Sequence, residues 1–201
     1  MLAITYDDGP YIYTEALLNL LRSVEVQATF FVTGSNLGKG QIDDPSTPWP
    51  GILRRMHDAG HQVGSHTWTH RDLNQANATI RRAEIIHNEM ALRNIFDWIP
   101  TYFRPPYLEC DVASGCGRMI SDFSYHSVST NLDTKDYMFD QPESIQQSKD
   151  RFLDGLPEDP IVNLTSFMVQ VARQRGYRLV TIGECLGDPR QNWYRIVDNL
   201  E

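Results

Sequence analysis

Short apolar runs of strand length alternate with helical patterns along most of this 201-residue chain, and that alternation constrains its fold more than any other feature. Residues 2–6 form a first strand, Leu17, Leu18, Leu21 and Val24 recur at helical spacing, and residues 28–33 form a second strand. Residues 34–50 are a loop rich in Gly, Pro, Asp and Ser, after which Ile52, Leu53, Met56 and Ala59 mark a helix ending at Gly60. Residues 61–65 predict a third strand, residues 78–96 a long amphipathic helix, and residues 101–104 a strand stopped by Pro105-Pro106. A short helix over 118–123 and a strand over 125–131 follow. Pro142, favoured in a first turn, opens a helix to Leu153; Leu164, Phe167, Met168 and Val171 line another; residues 178–182 close with a strand. The pattern is that of an α/β fold, a barrel of parallel strands, in one domain spanning 1–201 without repeat or linker. In such folds catalytic groups gather on loops at the C-terminal ends of the strands.

Three polar motifs sit at those ends. Thr5-Tyr6-Asp7-Asp8-Gly9-Pro10 puts two adjacent carboxylates at the exit of an apolar strand. Strand alternation sends neighbouring side chains to opposite sides, but a turn can bring both into one cavity, where one carboxylate holds a metal and the other acts as a base. An Asx turn ending a strand accounts for the same residues. His66-Thr67-Trp68-Thr69-His70 offers two imidazoles four apart, which with a carboxylate make a His-His-Asp set with positions left for water; a pair of surface histidines is the plain alternative. Arg104-Pro105-Pro106-Tyr107 fixes a guanidinium that can clamp a carboxylate bidentately, and its prolines leave the Tyr107 amide as the first available donor. A Pro-rich turn with a solvated Arg fits equally well in isolation.

Taken together and in order, the three motifs resemble those of the NodB-like polysaccharide deacetylases, carbohydrate esterase family four, whose patterns are T-F-D-D-G-P, H-S/T-x-x-H and R-x-P-Y. Residues 130–137 look like the family's fourth motif, with Tyr137 where Trp is more usual, and residues 60–70 and 183–189 are similar in wording to fungal chitin deacetylases. The resemblance implies a distorted (β/α) barrel and a metal-dependent hydrolase that removes N-acetyl groups from N-acetylglucosamine units of chitin or chitooligosaccharides. Acetylxylan esterase and peptidoglycan deacetylase are the alternatives within the family. It also implies that Asp8, His66 and His70 bind a divalent ion, zinc or another such as cobalt. Asp7 is then the general base, Arg104 orients it, and the Tyr107 amide faces the oxyanion. Asp133 or Asp136, the motif favouring Asp133, tunes a catalytic imidazole or Arg104.

One part of the pattern is missing. The family's fifth motif, a strand ending in Leu-x-His that supplies a general acid, does not occur in this sequence. Two helical patterns flank Pro160 and Ile161 where a parallel sheet demands a strand between them, so a segment is expected either to be deleted there or to exist in the molecule without being represented in this sequence. The other histidines are poor substitutes: His126 lies at the wrong end of its strand, His57 and His87 fall within helices, and His61 precedes a strand. A carbohydrate-binding member with impaired turnover is therefore a further reading.

Composition sets outer limits. With 18 Lys and Arg against 26 Asp and Glu, the net charge of -8 gives no footprint for a nucleic-acid backbone. No apolar run nears the roughly 20 residues of a membrane span. Cys110 and Cys116 are close enough to close a small ring, leaving Cys185 odd; three buried thiols are the alternative. A secreted or cell-wall monomer is expected. Residues 1–5 read as a buried strand and have neither the basic start nor the cleavage site of a signal peptide, so the natural N-terminus and the partner of Cys185 are expected upstream of Met1.

Overall fold

A computed structural model describes residues 1–139, 141, 143–155 and 164–196. The order begins β1 (Leu2–Ala3), β2 (Thr5–Asp7), α1 (Thr14–Ser23), β3 (Thr29–Val32), α2 (Trp49–Asp58), β4 (Gln62–Ser65) and α3 (Ala78–Phe96). It continues through β5 (Trp98–Pro100), β6 (Tyr102–Phe103), α4 (Cys116–Asp122), β7 (His126–Ser127), α5 (Ile145–Asp154), α6 (Leu164–Gln174), β8 (Leu179–Val180), α7 (Ile182–Cys185) and β9 (Tyr194–Ile196). Strands β2, β3, β4, β6 and β7 make one parallel sheet in that order. Only Ile4 separates β1 from β2, and β1 pairs in parallel with β8, so the parallel succession runs on past β2 to β8. This is the expected α/β architecture. Among the described residues β7 and β8 do not pair, and they stand as the two edges.

Both faces of the sheet are covered, which explains its continuous apolar strands. All four residues of β3, Thr-Phe-Phe-Val, are buried. Phe30 joins the helix-covered core with Leu18, Leu21, Leu53, Met56 and Leu92, while Phe31 points to the other face with Tyr102, Ile182 and Trp193. Gly64 is required by this packing: a Cβ there would meet ring carbons of Phe31 at 2.7 Å and the Tyr102 carbonyl at 3.1 Å.

Several boundaries differ from expectation for local reasons. Helix α2 starts at Trp49 because Pro50 suits a first turn. The strand expected over 125–131 shrinks to His126–Ser127. That expected over 178–182 ends at Val180, because Thr181 caps α7 by accepting from the Glu184 amide. Helix α5 begins at Ile145, and Pro142 lies outside the described residues. Strands β5 and β9 pair antiparallel, a contact 94 or more residues apart in sequence that periodicity does not reveal. The Pro160–Ile161 junction also lies outside the described residues. Cys110 and Cys116 form a disulfide, Cys185 is free, and no described helix is long and apolar enough to cross a membrane.

His61 is structural, as its place before β4 suggested. Its Nδ1 accepts from the Ala28 amide at 3.1 Å, and burial pushes its pKa down to about 4. The unfolded chain therefore binds a proton that the fold excludes, and stability falls as pH drops from about 6.5 towards 4. The variant His61→Gln keeps an acceptor but cannot titrate. Urea midpoints at pH 7 and pH 5 should show wild type losing about 2 kcal/mol more than the variant between them; equal losses would remove His61 as a source of acid sensitivity.

Candidate metal centre and active-site cleft

The parallel register brings the ends of β2, β4 and β6 together. Asp7 lies opposite Phe31, Phe31 opposite Gly64, Val32 opposite Ser65, and Ser65 opposite Phe103. The next residues along, Asp8, His66 and Arg104, thus emerge at neighbouring points on one rim. Asp8 adopts a left-handed conformation with φ 69°, which turns the chain and brings its carboxylate to the same side as that of Asp7. His66 Nε2 is 4.0 Å from Asp7 Oδ2 and 3.9 Å from Asp8 Oδ1. The Asx turn, surface histidines and solvated arginine considered for the separate motifs do not describe this arrangement.

His66 is buried, and its Nδ1 lies 2.6 Å from the Arg104 carbonyl oxygen. A carbonyl can only accept, so the neutral ring carries its proton on Nδ1 and leaves the Nε2 lone pair facing the carboxylates. Burial also holds this imidazole down to about 4, in its neutral form at ordinary pH. His70 Nε2 sits 3.5 Å from Asp8 Oδ1. The intervening loop takes left-handed conformations at Thr67 and His70, with φ of 71° and 58°. Buried Glu84 in α3 holds it, accepting from both the amide and the hydroxyl of Thr69, while the Thr67 hydroxyl accepts from the His70 amide. Trp68 fills the space beside Gly34, where a Cβ would fall 1.8 Å from its ring.

One donor atom each from Asp8, His66 and His70 lies within 4.8 Å of the others. Ligands about 2.0–2.1 Å from a tetrahedral ion stand about 3.4 Å apart, so the 3.5 and 3.9 Å separations fit a divalent ion after small adjustment. Two nitrogens and one carboxylate oxygen suit zinc or a similar metal and leave coordination positions for other oxygens.

Arg104 is buried and donates from Nη1 to Asp7 Oδ1 at 2.8 Å and to Thr5 Oγ1 at 2.7 Å, with its guanidinium over the Phe31 ring. The grip on Asp7 is a single bond rather than a bidentate fork, because Thr5 shares the donor atom. Asp7 Oδ2 is left free towards His66. Burial raises the Asp7 carboxyl above its ordinary value while the Arg104 charge opposes the rise. Tyr107 is exposed at φ 59°, its ring 4.9 Å from that of His70.

These groups line a cleft of about 480 Å³ whose far wall carries Leu132, Asp133, Asp136 and Tyr137. Asp133 does not hydrogen-bond to an imidazole or to Arg104; its Oδ1 accepts from the Lys135 amide within its own loop. Asp136 is the fourth-motif acid whose charge acts on Asp7. Sequence reasoning missed Asn36, Lys39 and Glu84. Asn36 Nδ2 donates to Asp8 Oδ1 at 3.2 Å, and Lys39 Nζ donates to the Asp8 carbonyl at 2.9 Å. Their one sequence signal is a turn-rich loop, Gly34-Ser35-Asn36-Leu37-Gly38-Lys39-Gly40, following a buried strand.

The family model described as polysaccharide deacetylase matches residues 1–115, which contain all of the residues around this centre except those of the far wall. The chain belongs to the polysaccharide deacetylase family. It is 40% identical to a chitin deacetylase of Colletotrichum lindemuthianum, over 97% of this chain and 83% of that protein. The structure of the chitin deacetylase from that fungal pathogen superposes with a TM-score of 0.90 at 39% identity, covering 99% of this chain and 92% of the other. A peptidoglycan-N-acetylglucosamine deacetylase of Bacillus cereus is 32% identical over 67% of this chain and 46% of its own length. The fungal alignment runs over 211 positions, more than the 201 residues present here, so that relative has residues with no counterpart in this chain.

Removing one member of a three-residue ligand set should cost more than the 10–100-fold lost with outer-shell partners. We expect Asp8→Ala, His66→Ala and His70→Ala each to weaken zinc binding by more than about 100-fold, and Asp7→Asn to leave it within about 5-fold. Calorimetric titration checks this, and wild-type affinity in His70→Ala would overturn the ligand set.

Proposed function

We propose that this chain hydrolyses N-acetyl groups from N-acetylglucosamine units of chitin or chitooligosaccharides, with zinc held by Asp8, His66 and His70. The observation that carries the reading is the one-sided hold on Asp7, where Arg104 occupies Oδ1 and Oδ2 remains free beside the three-ligand set. The similarity to fungal chitin deacetylases supports chitin as the substrate, and the disulfide suits an extracellular setting. Residues 1–201 act as one catalytic unit in this reading.

A divalent ion at this position supplies Lewis acidity to a water molecule and to the acetyl carbonyl oxygen. The residues do the rest. Asp7 Oδ2 takes a proton from the attacking water, while the bond from Arg104 keeps the carboxylate aimed and ionised. Negative charge gathers on the former carbonyl oxygen, where the Tyr107 amide donates a hydrogen bond. The C–N bond then breaks, releasing acetate and an amine that needs one proton. The exposed rings of Tyr107 and Tyr137 offer faces on which a sugar can stack.

Supply of that last proton is where this chain departs from its family. All six histidines are described, and only His66 and His70 line the cleft. His57 and His87 lie in α2 and α3, and His126 opens β7, beside a groove of about 680 Å³ between that strand and the loop over 186–189. The fungal relative has residues with no counterpart in this sequence, and if a strand is absent from the molecule between Pro160 and Ile161, slow turnover is expected.

Acetate release from chitohexaose tests the main reading: zinc should support it, a chelator should abolish it, and Asp7→Asn should retain below about 1% of it. Release only from peptidoglycan fragments would transfer the assignment to that substrate. Inserting a strand ending in Leu-x-His between Pro160 and Ile161 should raise kcat about 10²–10⁴-fold with little change in zinc affinity. The same insertion with Ala for the His separates chemistry from repair of the sheet, and equal activity of the two insertions would exclude the imidazole as the acid.

A further inference from the structure

Lys39 stands in a loop without a catalytic motif, yet its side chain is turned inward and the residue is only 8% exposed. The loop achieves this with left-handed conformations on either side, at Leu37, Gly38 and Gly40, with φ of 56°, 70° and 78°. Trp49 at the start of α2 fixes the loop by donating from Nε1 to the Lys39 carbonyl at 2.8 Å. The ammonium then gives its hydrogens to the Asp8 carbonyl at 2.9 Å, the Gly9 carbonyl at 3.1 Å and the Thr33 hydroxyl at 2.9 Å. Three donors meet three acceptors, so none remains for a carboxylate.

The acceptors explain why a cation is needed there. The carbonyls of Asp8 and Gly9 converge on one point, the Lys39 ammonium, instead of alternating. Convergent carbonyl dipoles repel unless a positive charge lies between them. The Thr33 hydroxyl adds one bond to the Asp8 carbonyl at 2.8 Å but cannot neutralise both. The side chain of the same Asp8 faces His66 and His70.

We propose that Lys39 is a positioning residue, an internal cation that locks the Asp8–Gly9 backbone so that the Asp8 carboxylate is presented to His66 and His70. The proposal rests on those three residues binding metal. It also has a decisive sign. A lysine that acted only through its charge would repel a divalent ion, and its removal would tighten metal binding. A lysine that positions Asp8 weakens binding when removed.

Calorimetric titration with zinc alone reads that sign in wild type, Lys39→Met, Asp8→Asn and the double variant, each confirmed folded by near-ultraviolet circular dichroism. Lys39→Met should lose about 10-fold or more in zinc affinity. In the Asp8→Asn background the same change should alter the residual affinity by less than about 2-fold, because its effect passes through Asp8. Propylammonium should restore zinc binding to Lys39→Ala where propanol does not. If Lys39→Met does not fold, Lys39→Gln, a neutral side chain that can still donate, is expected to show the same loss. Unchanged or tighter binding in the folded neutral variant, or an equal loss with and without the Asp8 carboxylate, overturns the proposal. A wild-type protein that binds no zinc overturns the metal site itself, and the role of Lys39 with it.

Discussion

Parallel pairing of β2, β3, β4 and β6 is the constraint on which the rest of this molecule depends. It sets three strand ends side by side, and each delivers its polar group one residue beyond the last paired position. The register is fixed by packing as much as by hydrogen bonds. A slip of one residue in β3 would exchange Phe30 for Phe31 and force a phenylalanine ring away from the space that Gly64 leaves open. The apolar layers of the sheet and the geometry of the site are thus consequences of the same alignment.

The site concentrates backbone strain. Among the described residues ten non-glycine positions have positive φ, and four of them, Asp8, Thr67, His70 and Tyr107, belong to the three motifs that meet at the cleft. Such conformations cost about 1 kcal/mol or more each and persist where surrounding contacts over-determine them. Those contacts are visible here: Lys39 and Thr33 hold the turn at Asp8, and Glu84 holds Thr69 between the two imidazoles. The groups doing the holding lie on the β3–α2 segment and on α3, outside the three motifs.

Charge is arranged with similar economy. Two carboxylates, Asp7 and Asp8, are met by two buried cations, Arg104 and Lys39, one at a side chain and one at a backbone turn. Burial works against both ends of this arrangement, raising the Asp7 carboxyl and pushing the Lys39 ammonium down to about 7. A divalent ion held by Asp8, His66 and His70 would add positive charge beside these groups, where it could offset a developing oxyanion.

By itself the sequence determined the class of fold and the chemistry-bearing residues. Buried parallel strands are continuous apolar runs, and the polar motifs that end them are local in sequence, so both could be read without coordinates. The full span of α3 was legible for the same reason, its apolar positions recurring over five turns between an Asn cap and Asp97. Tertiary structure alone decided what those motifs do to one another. That Asp7 and Asp8 face one cavity depends on a left-handed turn stabilised by Lys39, 31 residues away in sequence. That Arg104 grips Asp7 with one nitrogen depends on Thr5, and that Asp133 bonds within its own loop depends on the path of residues after β7. The pairing of β5 with β9 likewise joins segments that share no pattern. Periodicity and motif spacing report what a residue's near neighbours require, whereas these contacts are set by which distant backbone groups the sheet happens to align.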